Sequence, residues 1–166
     1  MKLLAATRIL LVGVLCLAAP GMASAELRIV IGSGQVEPLP IAVTDFFGAT
    51  PADVQIGADI ARVVAADLER SGLFKPIDKR AFIQSPESLR ALPRFGDWRV
   101  INAQALVTGA TVSLPDGRLR AEFRLFDVYG ETQMTGFAIT AAQAVGWRRI
   151  AHQIADKIYA RLTGED

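Results

Sequence analysis

The sequence predicts an α+β fold: a mixed β-sheet with helices packed on one face, in a single small domain. Three patterns carry this reading. Apolar residues recur at helical spacing in two long stretches, about 52–70 and 144–162. Between them, Leu119, Ala121, Phe123 and Leu125 alternate with Arg118, Arg120, Glu122 and Arg124, as in a strand with one dry and one wet face. Pro115-Asp116-Gly117 joins that strand to a β-rich run before it, with Pro presetting φ and Asp-Gly supplying the positive-φ end of a turn.

In chain order, Leu27-Arg28-Ile29-Val30-Ile31 reads as a strand with Leu27, Ile29 and Ile31 on one face, and Gly32-Ser33-Gly34 ends it as a flexible joint. Leu39 to Val43 is the first core strand, with Pro40 requiring an edge or strand-start position because it lacks a donor. Asp45 to Asp53 reads as loop. The first helix, Ala52 to Arg70, turns Ile56, Ile60, Val63, Val64 and Leu68 inward, and Gly72 is its C′ residue. Phe74 to Ile77 returns as a short strand, and short helices are expected near 86–91 and 96–101. Strands follow over 105–114, 118–128 and 133–140, the last with a bulge expected at Gly136, where the apolar phase shifts. The closing helix buries Trp147, Ile150, Ala151, Ile154, Ile158 and Leu162, and Gly164 caps it. Trp98 and Trp147 read as packing residues.

The first 25 residues read as a secretory leader. Lys2 and Arg8 precede an eleven-residue apolar run, Ile9 to Ala19, too short to span hydrocarbon about 30 Å thick. Pro20 and Gly21 break it, and Ala23-Ser24-Ala25 offers cleavage between Ala25 and Glu26. Leu15 before Cys16 argues against a lipobox, so Cys16 leaves with the leader and the exported chain has no cysteine for disulfides or thiol chemistry. The remaining 141 residues are enough for one domain with a packed core and need no integral membrane span. With the leader's two basic residues gone, 16 basic stand against 17 acidic residues, a net charge of −1. That balance excludes the basic footprint that nucleic-acid binding needs and argues against purely electrostatic attachment to anionic lipid.

Parts for catalysis are missing. His152 is the single histidine and reads as a solvated helix residue; no GxSxG turn accompanies it. Gly32-Ser33-Gly34 lacks the third glycine and the helical phase of a phosphate loop. Asp53, Asp59 and Asp67 read as the polar face of the first helix. No enzyme, metal site or cofactor is expected.

The extended apolar segment from Glu26 to Gly34 has two readings. It completes the domain's own sheet, or it adds as an edge strand to a partner, backbone bonds giving affinity and alternate side chains selectivity. Burying Leu27, Ile29 and Ile31 is worth about 5–8 kcal/mol in total, and ordering six residues at about 1–2 kcal/mol each offsets most of it. The balance predicts a modest, reversible contact.

Several of these stretches resemble the amino-terminal domain of TolB. They are Glu26 to Ile31 after the leader, Pro40-Ile41-Ala42-Val43, the helix end Val63-Val64-Ala65-Ala66-Asp67-Leu68-Glu69-Arg70-Ser71-Gly72-Leu73-Phe74 with Pro76 and Asp78, then Gly109, Pro115-Asp116-Gly117, Phe126-Asp127 and Leu162-Thr163-Gly164. The resemblance covers essentially all of residues 26–164 and implies a periplasmic, non-catalytic adaptor of the Tol–Pal envelope system. It implies contact with the carboxy-terminal domain of TolA through the first exported residues: Glu26, Leu27, Arg28, Ile29, Val30, Ile31, Gly32, Ser33, Gly34, Gln35 and Val36. Roles in outer-membrane integrity and in constriction at division are implied with it. The chain departs from the family at Gly32, where an acidic residue is familiar; a flexible joint there re-aims or weakens the contact. The family continues into a β-propeller that binds the lipoprotein Pal. No blade repeat occurs here, so Pal is expected only with that propeller, and the sequence reads as a fragment rather than a stand-alone module. The domain plan is therefore leader 1–25, partner strand 26–36 and α+β domain 37–164. The alternative is an envelope regulator that binds a peptidoglycan synthase through its folded surface.

Overall fold

A computed structural model describes residues 27–29 and 37–165. The strands are β1 (Leu39–Val43), β2 (Phe47–Gly48), β3 (Phe74–Pro76), β4 (Ala105–Ser113), β5 (Arg118–Asp127) and β6 (Thr132–Ala142); the helices are α1 (Pro51–Arg70), α2 (Phe95–Val100) and α3 (Gln143–Thr163). They form one mixed sheet in the order β3-β1-β4-β5-β6. The β3, β1 and β4 strands run parallel, and β4, β5 and β6 antiparallel. Long helices α1 and α3 cover one face, as expected.

Local signals start and stop these elements. Thr50 caps α1 by accepting from the Asp53 amide at 3.2 Å, Pro51 opens the first turn, and Gly72 leaves it with φ of +75°. Its buried face is Gly57, Ile60, Ala61, Val64 and Leu68. The Pro115-Asp116-Gly117 turn joins β4 to β5 with Gly117 at φ of +79°. Gly164 ends α3 at φ of +77°, its amide donating to Ala160 O at 2.8 Å.

The stretch read as loop between Asp45 and Asp53 contains a strand. β2 pairs with β4 at Phe47↔Ala110 and Gly48↔Thr111, directly beyond the β1–β4 pairs, so β1 and β2 form one strand line with a break at 44–46. The break drops Phe46 into the core, 1% exposed. Two glycines make room for it. A Cβ on Gly57 would run into the Phe46 carbonyl, and one on Gly109 would come within 2.5 Å of the Phe46 ring. That long-range fit explains what short-range pattern could not show.

The bulge in β6 also differs from expectation. Leu125 pairs with Thr135 but Phe126 with Gln133, so Met134 is the extra residue, while Gly136 pairs regularly with Arg124. The bulge lets Met134 pack against the core, and the Met134 carbonyl accepts from Arg161 Nε at 3.2 Å. Glycine at 136 relieves crowding, since a Cβ there would meet Gln133 Nε2 at 2.9 Å and Phe123 O at 3.0 Å.

The opposite sheet face is covered at one end. There α2 and the 3₁₀ turns at Lys79–Ala81 and Ser88–Arg90 bring Leu89, Phe95 and Trp98 over Ala42, Leu106 and Phe126. Trp98 is 1% exposed and meets Phe82 edge-on. Trp147 packs partly buried against the main core, with the Arg148 guanidinium over its ring. Both tryptophans are packing residues, as expected.

Asp53 ties the layers together. At 2% exposure its carboxylate accepts from the Ser113 amide at 2.9 Å, Ser113 Oγ at 2.6 Å and Thr50 Oγ1 at 2.8 Å. Burial pushes its pKa up, but hydrogen bonds from Ser113 and Thr50 outweigh that and hold it below the ordinary aspartate value. A depressed folded-state pKa adds stability that is present above the unfolded value, near 4, and is lost as pH falls through the folded one. Asp53→Asn is therefore expected to destabilise the protein at pH 7 and to flatten the loss of stability below about pH 4. Urea denaturation at pH 7 and pH 3 checks it; an equal loss at both would contradict it.

Candidate functional site at the amino-terminal segment

Helix α3 ends with carbonyls that have no partner inside the helix. The chain's own amino-terminal segment reaches that end. The Ile29 amide donates to the Leu162 carbonyl at 2.8 Å, and Arg28 Nε points to the Thr163 carbonyl at 3.5 Å. The Arg28 guanidinium lies over Gly164, where any side chain would collide with it. A cation at a helix carboxy-terminus also meets the negative end of the helix dipole. The Ile29 side chain, 7% exposed, joins the main core, and Leu27 packs partly buried against it, while Arg28 is exposed.

The apolar face expected of Leu27 and Ile29 is thus real and points into the domain. Residues 27–29 nevertheless form no strand. Among the described residues they meet the domain's core at a helix end, with one backbone bond, at Ile29. Of the residues expected to bind the partner, only Leu27, Arg28 and Ile29 are described. Glu26 and 30–36, like the Ala25–Glu26 cleavage site, lie outside the described residues. The sequence pattern marks Leu162 as helix stripe and Gly164 as cap. Their part in receiving the amino-terminal residues has no local signal, because the partners of the Leu162 and Thr163 carbonyls lie far away in the chain, 135 residues for Thr163.

The other candidates fall into structural roles. His152 Nδ1 lies 2.5 Å from Asp67 Oδ2, joining α3 to α1 at the surface with its side chain 55% exposed. Asp59 pairs with Arg62, and Asp67 also with Arg70 at 2.9 Å. Among the described residues there is no cluster of three or more His, Cys, Asp or Glu side chains that could hold a metal. None of the helices among them is long and apolar enough to cross a membrane. Because an exposed pair contributes at most about 1 kcal/mol, His152→Ala is expected to change stability by no more than that. Thermal melting checks it, and a larger loss would give this pair a role that its exposure does not explain.

Comparison with known proteins follows the same lines. Residues 27–134 match the TolB amino-terminal domain. The Tol-Pal system protein TolB of Paramagnetospirillum magneticum is 60% identical over 144 residues, which are 87% of this chain and 32% of that protein. The chain thus spans about a third of that relative's length. In structure, TolB from Acinetobacter baumannii superposes with a TM-score of 0.63 at 23% identity, over 77% of this chain and 29% of that one. The lipoprotein GNA1162 from Neisseria meningitidis gives a TM-score of 0.54 at 14% identity, over 76% of this chain and 100% of that one. At those identities the two structures show a shared fold alone. The sequence match favours this family over the alternative of an envelope regulator. Since it spans well over half of the chain, the protein belongs to the TolB amino-terminal domain family.

Proposed function

We propose that this domain is a non-catalytic periplasmic adaptor of the Tol-Pal system, and that Glu26 to Val36 binds the carboxy-terminal domain of TolA by strand addition. In that role it supports outer-membrane integrity and constriction at division. Pal would be engaged only through a propeller following this domain. The 60% identity to a Tol-Pal TolB supports the system. The observation that carries the reading is the seat of Ile29. Its amide donates to a helix-end carbonyl, and residues 27–29 pair with no strand among the described residues, which supports a contact that a partner can replace.

Docked and partner-bound states exclude one another, because both use the Ile29 amide and side chain. Binding affinity is then the intrinsic value reduced by the fraction of chains with the segment released. A docking preference of about 1.4 kcal/mol weakens apparent affinity about tenfold. Calorimetric titration of the TolA carboxy-terminal domain into the protein, and into a variant lacking 26–36, tests the proposal. Binding by the first alone is expected. Equal binding by both would move the contact to the folded surface and refute the segment's role.

A further inference from the structure

We propose that the free edge of β6 accepts an extended acidic segment of a partner protein by strand addition, beside the seat of the amino-terminal segment. The sheet has two edges, and they are treated differently. At one edge β3 has three residues and ends in Pro76, a short and guarded edge. At the other, β6 runs for eleven residues, Thr132–Ala142, with no charged residue and no proline. Among the described residues no strand pairs with its outer side. Edge strands of this length are normally blunted by lysine, proline or a bulge. The single bulge, at Met134, lies at one end and leaves eight regularly paired residues, Thr135 to Ala142.

Alternate backbone N–H and C=O groups of such a strand face outward and need partners. Side chains on the sheet face away from α3 are small: Gly136, Ala138, Thr140 and Ala142, all exposed. They leave room for a neighbour. On the α3 side Phe137 stands 49% exposed, its ring against Phe123 with centroids 6.0 Å apart.

The charge around this edge selects the occupant. A groove of about 500 Å³ runs between β6 and the end of α3, and among the described residues its charged lining is Arg28, Lys157 and Arg161, none of them acidic. Lys157 Nζ sits 5.7 Å from the centre of the Phe137 ring. A second copy paired edge to edge would bring α3 beside α3, cation against cation. An acidic strand meets the same cations with opposite sign, while its apolar residues cover Phe137.

The test uses the full protein, labelled for amide NMR, and two twelve-residue probe peptides, one alternating valine with glutamate and one alternating valine with lysine. The glutamate peptide is expected to shift amides of 135–142 and to bind at least tenfold more tightly than the lysine peptide. Phe137→Glu should lose that binding at least tenfold, and Lys157→Glu should reverse the preference; both sites are on the surface, and an otherwise unchanged spectrum shows the fold is kept. No shift in β6, equal affinity for both peptides, or unchanged binding by either variant would overturn the proposal. So would slow exchange of the β6 amides in the free protein, whether a second copy or residues 30–36 fill the edge.

Discussion

Phe46→Ala lowers stability by about 3–5 kcal/mol, a large part of what holds a domain of this size together. The ring fills the break between β1 and β2 and is 1% exposed. Its neighbours there include two glycines, Gly57 and Gly109, which have no side chain to move into the space. The surrounding frame is also fixed. Thr111 Oγ1 donates to Asp53 O at 2.8 Å, and the Phe46 amide donates to Gly57 O at 3.4 Å, so α1 cannot settle onto β4 when the ring is gone. A cavity that cannot collapse belongs at the upper end of the range for truncated aromatics. Denaturant melts of the two proteins measure it; a loss under about 1 kcal/mol would mean that the break repacks freely.

The same residue shows where sequence reading ends. The stretch around Phe46 reads as loop because the strand that follows it is two residues long and the glycines that accept its ring and carbonyl lie elsewhere in the chain. Helices α1 and α3 are legible because their evidence is local: periodic apolar residues and glycine stops, while the Thr50-Pro51 start of α1 falls in the stretch expected as loop. The β5 alternation and the Pro115-Asp116-Gly117 turn were legible for the same reason. The sequence places the bulge two residues late because Gly136 suggests one, whereas Met134 is selected by the core beneath it and by Arg161, which donates to its carbonyl. In the amino-terminal segment the apolar face of Leu27 and Ile29 was visible. Its present destination, the open end of α3, depends on tertiary contact and could not be read.

Ile29→Asp is expected to abolish binding to the TolA carboxy-terminal domain, a loss of at least a hundredfold, while leaving the domain folded. In the docked state Ile29 is 7% exposed, and a carboxylate there would be buried without a partner. The segment leaves the core, and the protein loses about 1.5–3 kcal/mol of apolar burial at its periphery. Release alone would favour partner binding, since more chains have the segment free. The substitution also removes the apolar side chain that strand addition would bury, and a desolvated charge outweighs the gain from release. The sign of the result therefore separates two accounts. Lost binding means that Ile29 itself enters the interface; tighter binding means that the segment only covers a site beneath it. Calorimetry on the variant, with a melting curve to confirm folding, gives the answer.

The most direct test follows the Ile29 amide by NMR in the complex with the TolA carboxy-terminal domain. The account predicts that its contacts to Leu162 disappear and that new contacts to the partner's backbone replace them. Persistence of the Ile29–Leu162 contacts in the saturated complex would contradict it.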